Sequence, residues 1–334
     1  MSAMAGPAPL ASPSPDTAAR ARPAMRLLAR QLLNRVAQLV ILLFVISSVL
    51  FVLLRLTGDP AVTIAGENAT PDTLAAVRQQ YGLDGSQLHQ YLTFIGNLLH
   101  LDFGSSLATG QDALGMVGAQ LPATLRLAVA AIILNALIAI PVGAWLGSRR
   151  RGVARESASF LITIAQGIPG YVVGLLLIQV FAVWLHVLPS VANGGFTSMI
   201  LPALTLASFQ VPKMVRVTAA SVAEAGRADY ILTATANGAS PSTVVLRHAL
   251  PNALLAVTAM LGAQFAFLLS GTLITEYLFN WPGLGLLMVN SVQRLDFPVV
   301  QAAVFVTAVM VFVVNVVMDI VFELADPRLR RSGA

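Results

Sequence analysis

The chain has 334 residues, of which 57% are hydrophobic and 10% are charged, and its mean hydropathy is +0.78. Soluble domains carry about 25% charged residues, so this composition indicates a protein that crosses a membrane several times. There is no cysteine, and the one lysine, Lys213, follows no P-loop motif. These counts exclude disulfides, thiolate metal sites and a P-loop ATPase within the chain.

The N-terminal part predicts a tail followed by a span. Residues 1–25 are rich in Ala, Pro and Ser, a composition that buries little surface and predicts disorder. A secretory signal peptide would need an apolar core, which this segment lacks. The apolar run at 36–54 has the length of a spanning helix, with no cleavage site after it. We therefore expect residues 26–54 to form an N-terminal helix that contains the first span.

Residues 55–120 form a polar segment with several acidic residues and turn signals. The segment is predicted to lie on the extracytoplasmic side of the membrane. Within it, residues 91–101 carry apolar residues at helical spacing but are too few to cross a bilayer. We expect them to lie on the membrane surface or to pack on the rest of the protein.

The remaining apolar sequence predicts five more spans. Residues 157–212 contain no Asp, Glu, Lys or Arg, and at about 1.5 Å per residue one helix would exceed a ~30 Å hydrocarbon core more than twofold. Turn-forming residues at 188–195 predict a break, and Gly-Ile-Pro-Gly at 167–170 predicts a kink. Gly170 and Gly174 form a small-xxx-small pair that permits close helix packing. The expected spans lie near 122–147, 157–186, 199–222, 252–275 and 298–323.

The basic residues test this topology independently. With the N-terminus inside, all but four of the 20 basic residues fall on the cytoplasmic side, as the positive-inside rule predicts. The same bias accounts for the net charge of +5 without a nucleic-acid partner. The basic residues expected outside are Arg55, Arg78, Arg126 and Arg294.

The longest polar interruption of the C-terminal half lies at 229–252. Gly238 is a predicted helix stop, Ser240 a predicted N-cap and Pro241 the first position of the next helix. Pro251 is expected to end that second short helix. The pattern predicts two short helices, joined at a glycine, on the face of a membrane protein.

This stretch resembles the cytoplasmic loop of bacterial ABC-transporter permeases, with the pattern E-A-A, three residues, Gly, nine residues, I-x-L-P. Leu232 replaces the glutamate of the pattern, and His248 replaces its isoleucine. The wording TGDPA, YGLD and NLLHLDFGSSL upstream is similar to the dipeptide/oligopeptide branch. The residues at matching spacings are Thr233, Ala234, Gly238, Leu250 and Pro251.

The resemblance implies an all-α integral membrane protein with six transmembrane helices, both termini inside, and the type I ABC importer permease fold in the bacterial inner membrane. Residues 121–325 would form the permease core with a coupling loop at 224–251, followed by a cytoplasmic tail at 326–334. It implies four kinds of partner: a second homologous permease, two ATP-binding subunits, an extracytoplasmic substrate-binding protein and the lipid membrane. ATP and Mg²⁺ would be held by the ATPase subunits, with no cofactor in this chain. The implied ATPase-coupling residues are Asp229, Tyr230, Thr233, Ala234, Gly238, Ser240, Pro241, Arg247, His248, Leu250 and Pro251.

Two further stretches resemble the same family. Residues 276–287, EYLFNWPGLGLL, match its E-x-x-F-x-x-P-G-L-G wording; a periplasmic turn and a docking surface for a partner are both open interpretations. A glutamate at this depth is expected to face a wet cavity or a partner. Asn315 and Asp319 lie four apart on one helix face and match the family's N-x-x-x-D, for which we expect an inter-helix role. The candidate extracytoplasmic docking residues are Glu276, Trp281, Pro282 and Gly283.

Polar residues inside the predicted spans are candidates for the pathway or for inter-helix bonds, because each is costly against lipid. The four histidines lie on both predicted faces without metal-site spacing, and no nucleophile–base set is evident, so we expect no catalytic site and no metal site. The candidate pathway or inter-helix residues are Asn135, Gln166, Gln179, Gln210, Gln264, Asn315 and Asp319.

The function implied is that of a permease subunit forming half of the pathway of an ATP-driven importer of dipeptides or oligopeptides. Two alternatives stay open: an importer of the same family for glutathione or chelated nickel, and a secondary transporter. The latter would need a coupling-ion site, for which Asp319 and Glu323 are the available carboxylates. The acidic segment at 55–120 is a plausible landing surface for the binding protein.

Overall fold

The computed structural model describes residues 16–57, 60–66, 69–80, 84–149 and 152–325. The predicted tail at 326–334 and most of the tail at 1–25 lie outside these ranges. Regular structure within them is helical, with one isolated bridge between Ser105 and Asp112. The helices are α1 (Asp16–Thr57), α2 (Pro60–Ala65), α3 (Pro71–Gln80), α4 (Gln87–Leu99), α5 (Ala113–Ser148), α6 (Val153–Gly167), α7 (Gly170–Leu177, continued by a π-helix at Ile178–Trp184), α8 (Thr197–Ala225), α9 (Asp229–Ala236), α10 (Pro241–Thr243, continued by a π-helix at Val244–Ala249), α11 (Leu250–Leu278), α12 (Leu284–Gln293) and α13 (Phe297–Ala325).

Helix α1 begins at Asp16, so the disorder predicted for residues 16–25 is wrong. The alanines that suggested low complexity are also the strongest helix formers. The apolar part, Leu33–Leu53, is long enough to cross a membrane, as predicted. The described residues up to Ser48 form one unit, and those from Val49 onward form the second, which holds the sites described below.

Helix α5 begins before the predicted second span. Asp112 caps it, because its carboxylate accepts a hydrogen bond from the Gly115 amide at 2.6 Å. Pro122, the predicted start of the span, lies inside the helix. The segment predicted at 55–120 therefore ends within α5 rather than before it.

Two long-range contacts order the segment between α1 and α5. The Phe51 ring lies 5.3 Å from the ring of Tyr91 and 5.5 Å from the ring of Phe94, so α4 packs on the last turns of α1. The buried Asp296 carboxylate accepts hydrogen bonds from the Ser106 hydroxyl and from the Leu107 amide. Residues 91–101 were expected either to lie on the membrane surface or to pack on the rest of the protein. The packing of Tyr91 and Phe94 on Phe51 confirms the second alternative for these two residues.

Helices α5 and α8 cross closely because glycines lie at their contact. A Cβ atom on Gly143 would come within 2.8 Å of the Val215 carbonyl oxygen, and one on Gly147 within 2.5 Å of the Ala219 carbonyl oxygen. Small residues four apart let helix backbones approach in a bilayer, where no hydrophobic effect drives helices together. This pair is absent from the sequence predictions above, although its G-x-x-x-G spacing is visible in the sequence.

The third predicted span is bent rather than straight. Helix α6 meets α7 and its π-helical continuation at 98°, at residues 167–170, where the sequence predicts a kink. Of the predicted glycine pair, only Gly174 makes a tight contact, because a Cβ atom there would lie 2.9 Å from the Thr205 side chain. A Cβ atom on Gly170 would lie at ordinary van der Waals distances from its neighbours. Within the described ranges five helices are long and apolar enough to cross a membrane, or six if the bent pair is one span. This agrees with the predicted six-span, all-α fold.

Candidate functional site

The predicted coupling loop is held to the spans by one buried side chain. Ile231 in α9 is 6% exposed and lies in a cluster with Ala144 of α5 and Val222 of α8. Its neighbour Leu232, by contrast, is 67% exposed. Helix α9 therefore has one face packed on the ends of the spans and the opposite face open to a partner.

Gly238 ends α9 with a left-handed turn. Its φ is +83°, its amide donates to the Thr235 carbonyl oxygen at 3.0 Å, and the Ala239 amide donates to the Ala234 carbonyl oxygen at 3.1 Å. These two hydrogen bonds are those of a Schellman motif, in which glycine avoids the strain that a Cβ atom would cause. The predicted helix stop at Gly238 is confirmed.

The next helix begins as predicted. The Ser240 hydroxyl accepts a hydrogen bond from the Thr243 amide at 3.3 Å, and Pro241 occupies the first helical turn, where its missing N–H costs nothing. Capping at both sides of the glycine makes the corner stiff through local hydrogen bonds alone.

The predicted helix end at Pro251 is wrong, because the helix runs on into α11. The π-helix at Val244–Ala249 precedes the proline, and the Leu250 amide donates to the Val245 carbonyl oxygen five residues back. This widened turn has already left the i→i−4 pattern that a proline would break, so the proline is tolerated. The second helix of the predicted coupling loop is consequently continuous with the fifth span.

The predicted loop residues divide by exposure. Ala234, His248 and Leu250 are partly buried. Sequence reasoning missed Ile231, although two adjacent apolar residues on an eight-residue surface helix require one of them to face the protein. The exposed members of the predicted set are Asp229, Tyr230, Thr233, Gly238, Ser240, Pro241, Arg247 and Pro251.

Three of the predicted polar residues meet inside the protein. The Asn135 amide donates to the Gln264 side-chain oxygen, and Gln210 and Gln264 each donate to the other's backbone carbonyl oxygen, at 3.1 and 3.3 Å. All three are at most 5% exposed, and they join α5, α8 and α11. The Asn135 Oδ1 and Gln210 Oε1 atoms accept no hydrogen bond from the described residues. The inter-helix alternative is thus confirmed for this amide cluster.

The other predicted polar residues do not join it. Gln166 and Gln179 are exposed on the bent third span. Asn315 is exposed and donates to the Val311 carbonyl oxygen of its own helix at 2.9 Å, and Asp319 is also exposed. The inter-helix role expected for Asn315 and Asp319 stays a prediction. In the described ranges no three His, Asp or Glu side chains lie close enough to hold a metal ion.

Glu276 lies fully buried in the last turn of α11, next to the turn that is predicted to be extracytoplasmic. Its carboxylate accepts hydrogen bonds from the Thr124 hydroxyl at 2.8 Å, the Gly285 amide at 2.6 Å and the Leu286 amide at 3.4 Å. The Thr124 hydroxyl in turn accepts from the Leu284 amide at 2.8 Å. One carboxylate therefore ties α11 to the start of α12 and to α5.

The docking role predicted for this turn is wrong for three of its four residues. Trp281 is 8% exposed and its indole N–H donates to the Ala123 carbonyl oxygen at 3.1 Å. Gly283 is buried, and a Cβ atom there would overlap the Glu276 carboxylate. Only Pro282 is exposed. The turn folds inward because its carboxylate and indole find partners on α5, about 150 residues earlier in the chain.

Comparison with known proteins gives the family. Residues 139–331 match the binding-protein-dependent transport system inner membrane component, and residues 28–128 match the N-terminal membrane component of the same systems. The chain belongs to this family of ABC importer permeases. It is therefore a multi-pass protein of the bacterial inner membrane and a transport permease subunit.

Relatives cover nearly the whole chain. The glutathione transport system permease protein GsiC of Escherichia coli strain K12 is 36% identical over 303 residues, which is 89% of this chain and 98% of the relative. The protein of the same name from Shigella flexneri serotype 5b is 35% identical over the same lengths. Family membership sets aside the secondary-transporter alternative for this permease.

A solved structure shares the fold. The inward-facing MetNI methionine ABC transporter matches with a TM-score of 0.55 and 16% identity, over 63% of this chain and 96% of that chain. At this identity the likeness shows the fold alone. It agrees with the predicted importer permease architecture.

Proposed function

We propose that this permease forms half of the translocation pathway of an ATP-driven importer and is coupled to a separate ATPase subunit through α9. The observation that supports the proposal is the split face of α9, with Ile231 buried against the spans and Leu232 exposed. The chain itself has no P-loop motif, so the hydrolysed nucleotide belongs to partner subunits. These partners would be two ATPases, a second permease and an extracytoplasmic binding protein that lands on the segment before α5.

The geometry of the loop suits the transmission of force. Helix α9 is packed on one face, and it ends at a corner that is capped on both sides. Because the helical run from Pro241 continues without a break into α11, a push on α9 and its corner reaches the fifth span directly. The substitution of Leu232 for the family's glutamate makes this contact with the ATPase more apolar.

The proposed substrates are short peptides. The resemblance to the dipeptide branch and the name of the glutathione permeases both concern small peptides, glutathione being a γ-linked tripeptide. We propose glutathione as the first substrate to test and linear dipeptides as the second. The binding protein is expected to set the choice between them, because it presents the ligand to the permease.

Single-cysteine cross-linking tests the coupling proposal, since the chain has no cysteine of its own. A Leu232→Cys variant in the complete transporter is expected to cross-link to a P-loop ATPase subunit. The matched control is Leu92→Cys in α4, whose side chain is 60% exposed but lies on the predicted extracytoplasmic side. Cross-linking of the ATPase to Leu92→Cys and not to Leu232→Cys would refute the proposed role of α9.

Uptake into proteoliposomes tests the substrate. With the binding protein outside and ATP inside, labelled glutathione is expected to accumulate, and a labelled dipeptide is the comparison. Accumulation of neither, in vesicles whose ATPase is stimulated by the binding protein, would reject the peptide class while leaving the coupling proposal intact.

A further inference from the structure

The amide cluster of Asn135, Gln210 and Gln264 contains a reciprocal pair of hydrogen bonds. The Gln210 side chain donates to the backbone carbonyl oxygen of Gln264 at 3.1 Å, and the Gln264 side chain donates to that of Gln210 at 3.3 Å. Each glutamine lies near the middle of a helix of 29 residues, Gln210 in α8 and Gln264 in α11. The two bonds therefore join α8 to α11 at one level, far from the ends of both helices.

The backbone carbonyl oxygens fix which way the three amide groups face. A carbonyl oxygen only accepts, so each glutamine must present its nitrogen to the opposite backbone. The Gln264 side-chain oxygen then faces Asn135, whose nitrogen donates to it. Turning any one of the three amides over would place two acceptors face to face. The Asn135 and Gln210 oxygens remain, and they accept no hydrogen bond from the described residues although both side chains are at most 4% exposed.

This cluster is better suited to fix a register than to add stability. Two buried acceptors without donors cost free energy, and hydrogen bonds between helices contribute little stability on average within a bilayer. A slide of α8 along α11, however, would break both reciprocal bonds together, because the same two residues make both. The two amide groups would then lie inside the protein without partners, which costs far more than the bonds contribute in place.

The apolar contacts between α8 and α11 define the register less sharply. Met214 and Val215 of α8 lie in one cluster with Val257 of α11. Ala253, Val257 and Leu261 follow one another at intervals of four residues along α11. After a shift by one turn, about 5.4 Å, aliphatic side chains would therefore meet aliphatic side chains again. Methionine adapts readily to such a change of neighbour.

We infer that the amide cluster fixes the register of α8 against α11, and that this positioning rather than stability is its contribution. Gln210 and Gln264 are the positioning residues, and Asn135 holds the Gln264 side chain to α5. A buried asparagine fixes the register of coiled-coil helices in the same way, at a cost in stability.

The consequence for transport rests on the proposed function. Helix α8 leads into α9, and the helical run from Pro241 continues into α11. Both ends of the coupling loop are thus attached to the two helices that the cluster joins. The register of these helices sets where the proposed ATPase contact lies relative to the spans.

Cysteine pairs on the exposed sides of α8 and α11 test the register, since the chain has no cysteine of its own. The rings of Phe209 and Phe267 stack with their centres 5.9 Å apart, and both are about half exposed. A Phe209→Cys/Phe267→Cys pair therefore reports the register in the structure. Pairs of Phe209→Cys with Ala263→Cys or Gly271→Cys, one turn to either side, report a shift. In the complete transporter, a short bifunctional thiol reagent is expected to join the first pair only, as read by mass spectrometry of the joined peptides.

The same pairs are then compared in an Asn135→Leu/Gln210→Met/Gln264→Met variant. All polar partners are replaced together by apolar groups of similar shape, so we expect its unfolding temperature to stay close to that of the parent. A shifted pair is expected to be joined as well, and stimulation of the ATPase by the binding protein is expected to fall. Gln210→Met alone, which removes one reciprocal bond, is expected to give the shifted product in lower yield and decides the question if the triple variant does not assemble.

The matched control is Gln166→Met/Gln179→Met. It makes the same substitution at two exposed glutamines of the bent third span, outside the cluster. This variant is expected to join the in-register pair only, as in the parent.

Three results would overturn the inference. Joining of the in-register pair alone in both the triple variant and Gln210→Met would show that apolar packing sets the register. Joining of shifted pairs in the parent would show that the register is not fixed. An unfolding temperature of the triple variant far below that of the parent would assign the cluster to stability. The cross-links lie within one chain, so a shifted register with unchanged ATPase stimulation would count against the proposed role of α9 and leave the register inference standing.

Discussion

The loop at 229–251 and the turn at 276–285 lie on opposite predicted faces of the membrane, and both carry glycine and proline next to the fifth span. In the loop, the side chain of Leu232 is 67% exposed, and the bonds that shape the corner join residues at most five apart. In the turn, the side chain of Glu276 is fully buried, and its hydroxyl partner is 152 residues away. Similar turn residues thus leave an exposed helix face in one place and form a bracket for the protein's own helices in the other.

This comparison separates two kinds of stability. The loop is shaped by caps that need no tertiary partner, so its shape survives while its outer face stays open. The turn depends on a carboxylate removed from water, which is stable only while all its donors are in place. Substitutions in the turn should therefore reduce the stability of the whole permease, and substitutions on the outer face of the loop should reduce coupling alone.

The largest effect is expected for Glu276→Leu. Thr124, Gly285 and Leu286 would lose their acceptor, and each buried donor left unpaired costs about 1–3 kcal/mol. Thermal unfolding of the purified chain in detergent measures the loss, and Glu276→Gln, which keeps one acceptor oxygen, is expected to lie between this variant and the parent. The control is Tyr277→Ala, next to it in sequence but 50% exposed. If both Glu276 variants unfold at the parental temperature but lose uptake, the result would favour a docking role for the turn instead.

The middle effect is expected for Ile231→Ala, which removes the buried anchor of α9. Truncating a buried isoleucine costs about 2–5 kcal/mol, and the loss should appear as faster hydrogen exchange of the α9 amides, because a short surface helix can open by itself. Leu232→Ala is the matched control, since an exposed side chain changes stability by within about 0.5 kcal/mol. It is expected to keep slow exchange but to weaken stimulation of the ATPase. Equal exchange in both variants would contradict the split face of α9.

The smallest effect is expected at the corner, where Gly238→Val should cost about 1–2 kcal/mol. A Cβ atom there meets nothing within 4 Å, so the cost comes from the left-handed backbone at φ +83° alone. Asparagine adopts that conformation more readily than other residues with a Cβ atom, and Gly238→Asn is therefore expected to keep most of the ATPase stimulation. If both variants lose stimulation equally, a close approach of the partner to this glycine, rather than backbone strain, explains its presence.

Much of the fold could be predicted because it rests on short-range rules. The lengths of the spans, the kink at 167–170, the stop at Gly238 and the caps at Ser240 and Pro241 all follow from residues within one or two turns of each other. Two predicted helix boundaries were wrong: α1 begins at Asp16 instead of after residue 25, and the helix does not end at Pro251. In both places a helix continues through residues that are usually unfavourable in helices. In the second case the π-helix beforehand made room for the proline.

The sites divide in the same way. The polar residues in the spans were recognised from their cost against lipid, but only the structure shows that Asn135, Gln210 and Gln264 meet while Gln166 and Gln179 do not.

The sequence by itself determined the class of protein, its spans and the local shape of the corner at Gly238, and its orientation by charge stays a prediction. These depend on composition and on interactions between near neighbours, which a single sequence contains. The tertiary structure alone decided which side chains are buried: Ile231 inward and Leu232 outward, Glu276 a bracket rather than a docking residue. Burial is set by helices that pack from distant parts of the chain, and a carboxylate that needs a threonine 152 residues earlier leaves no local signal of its fate.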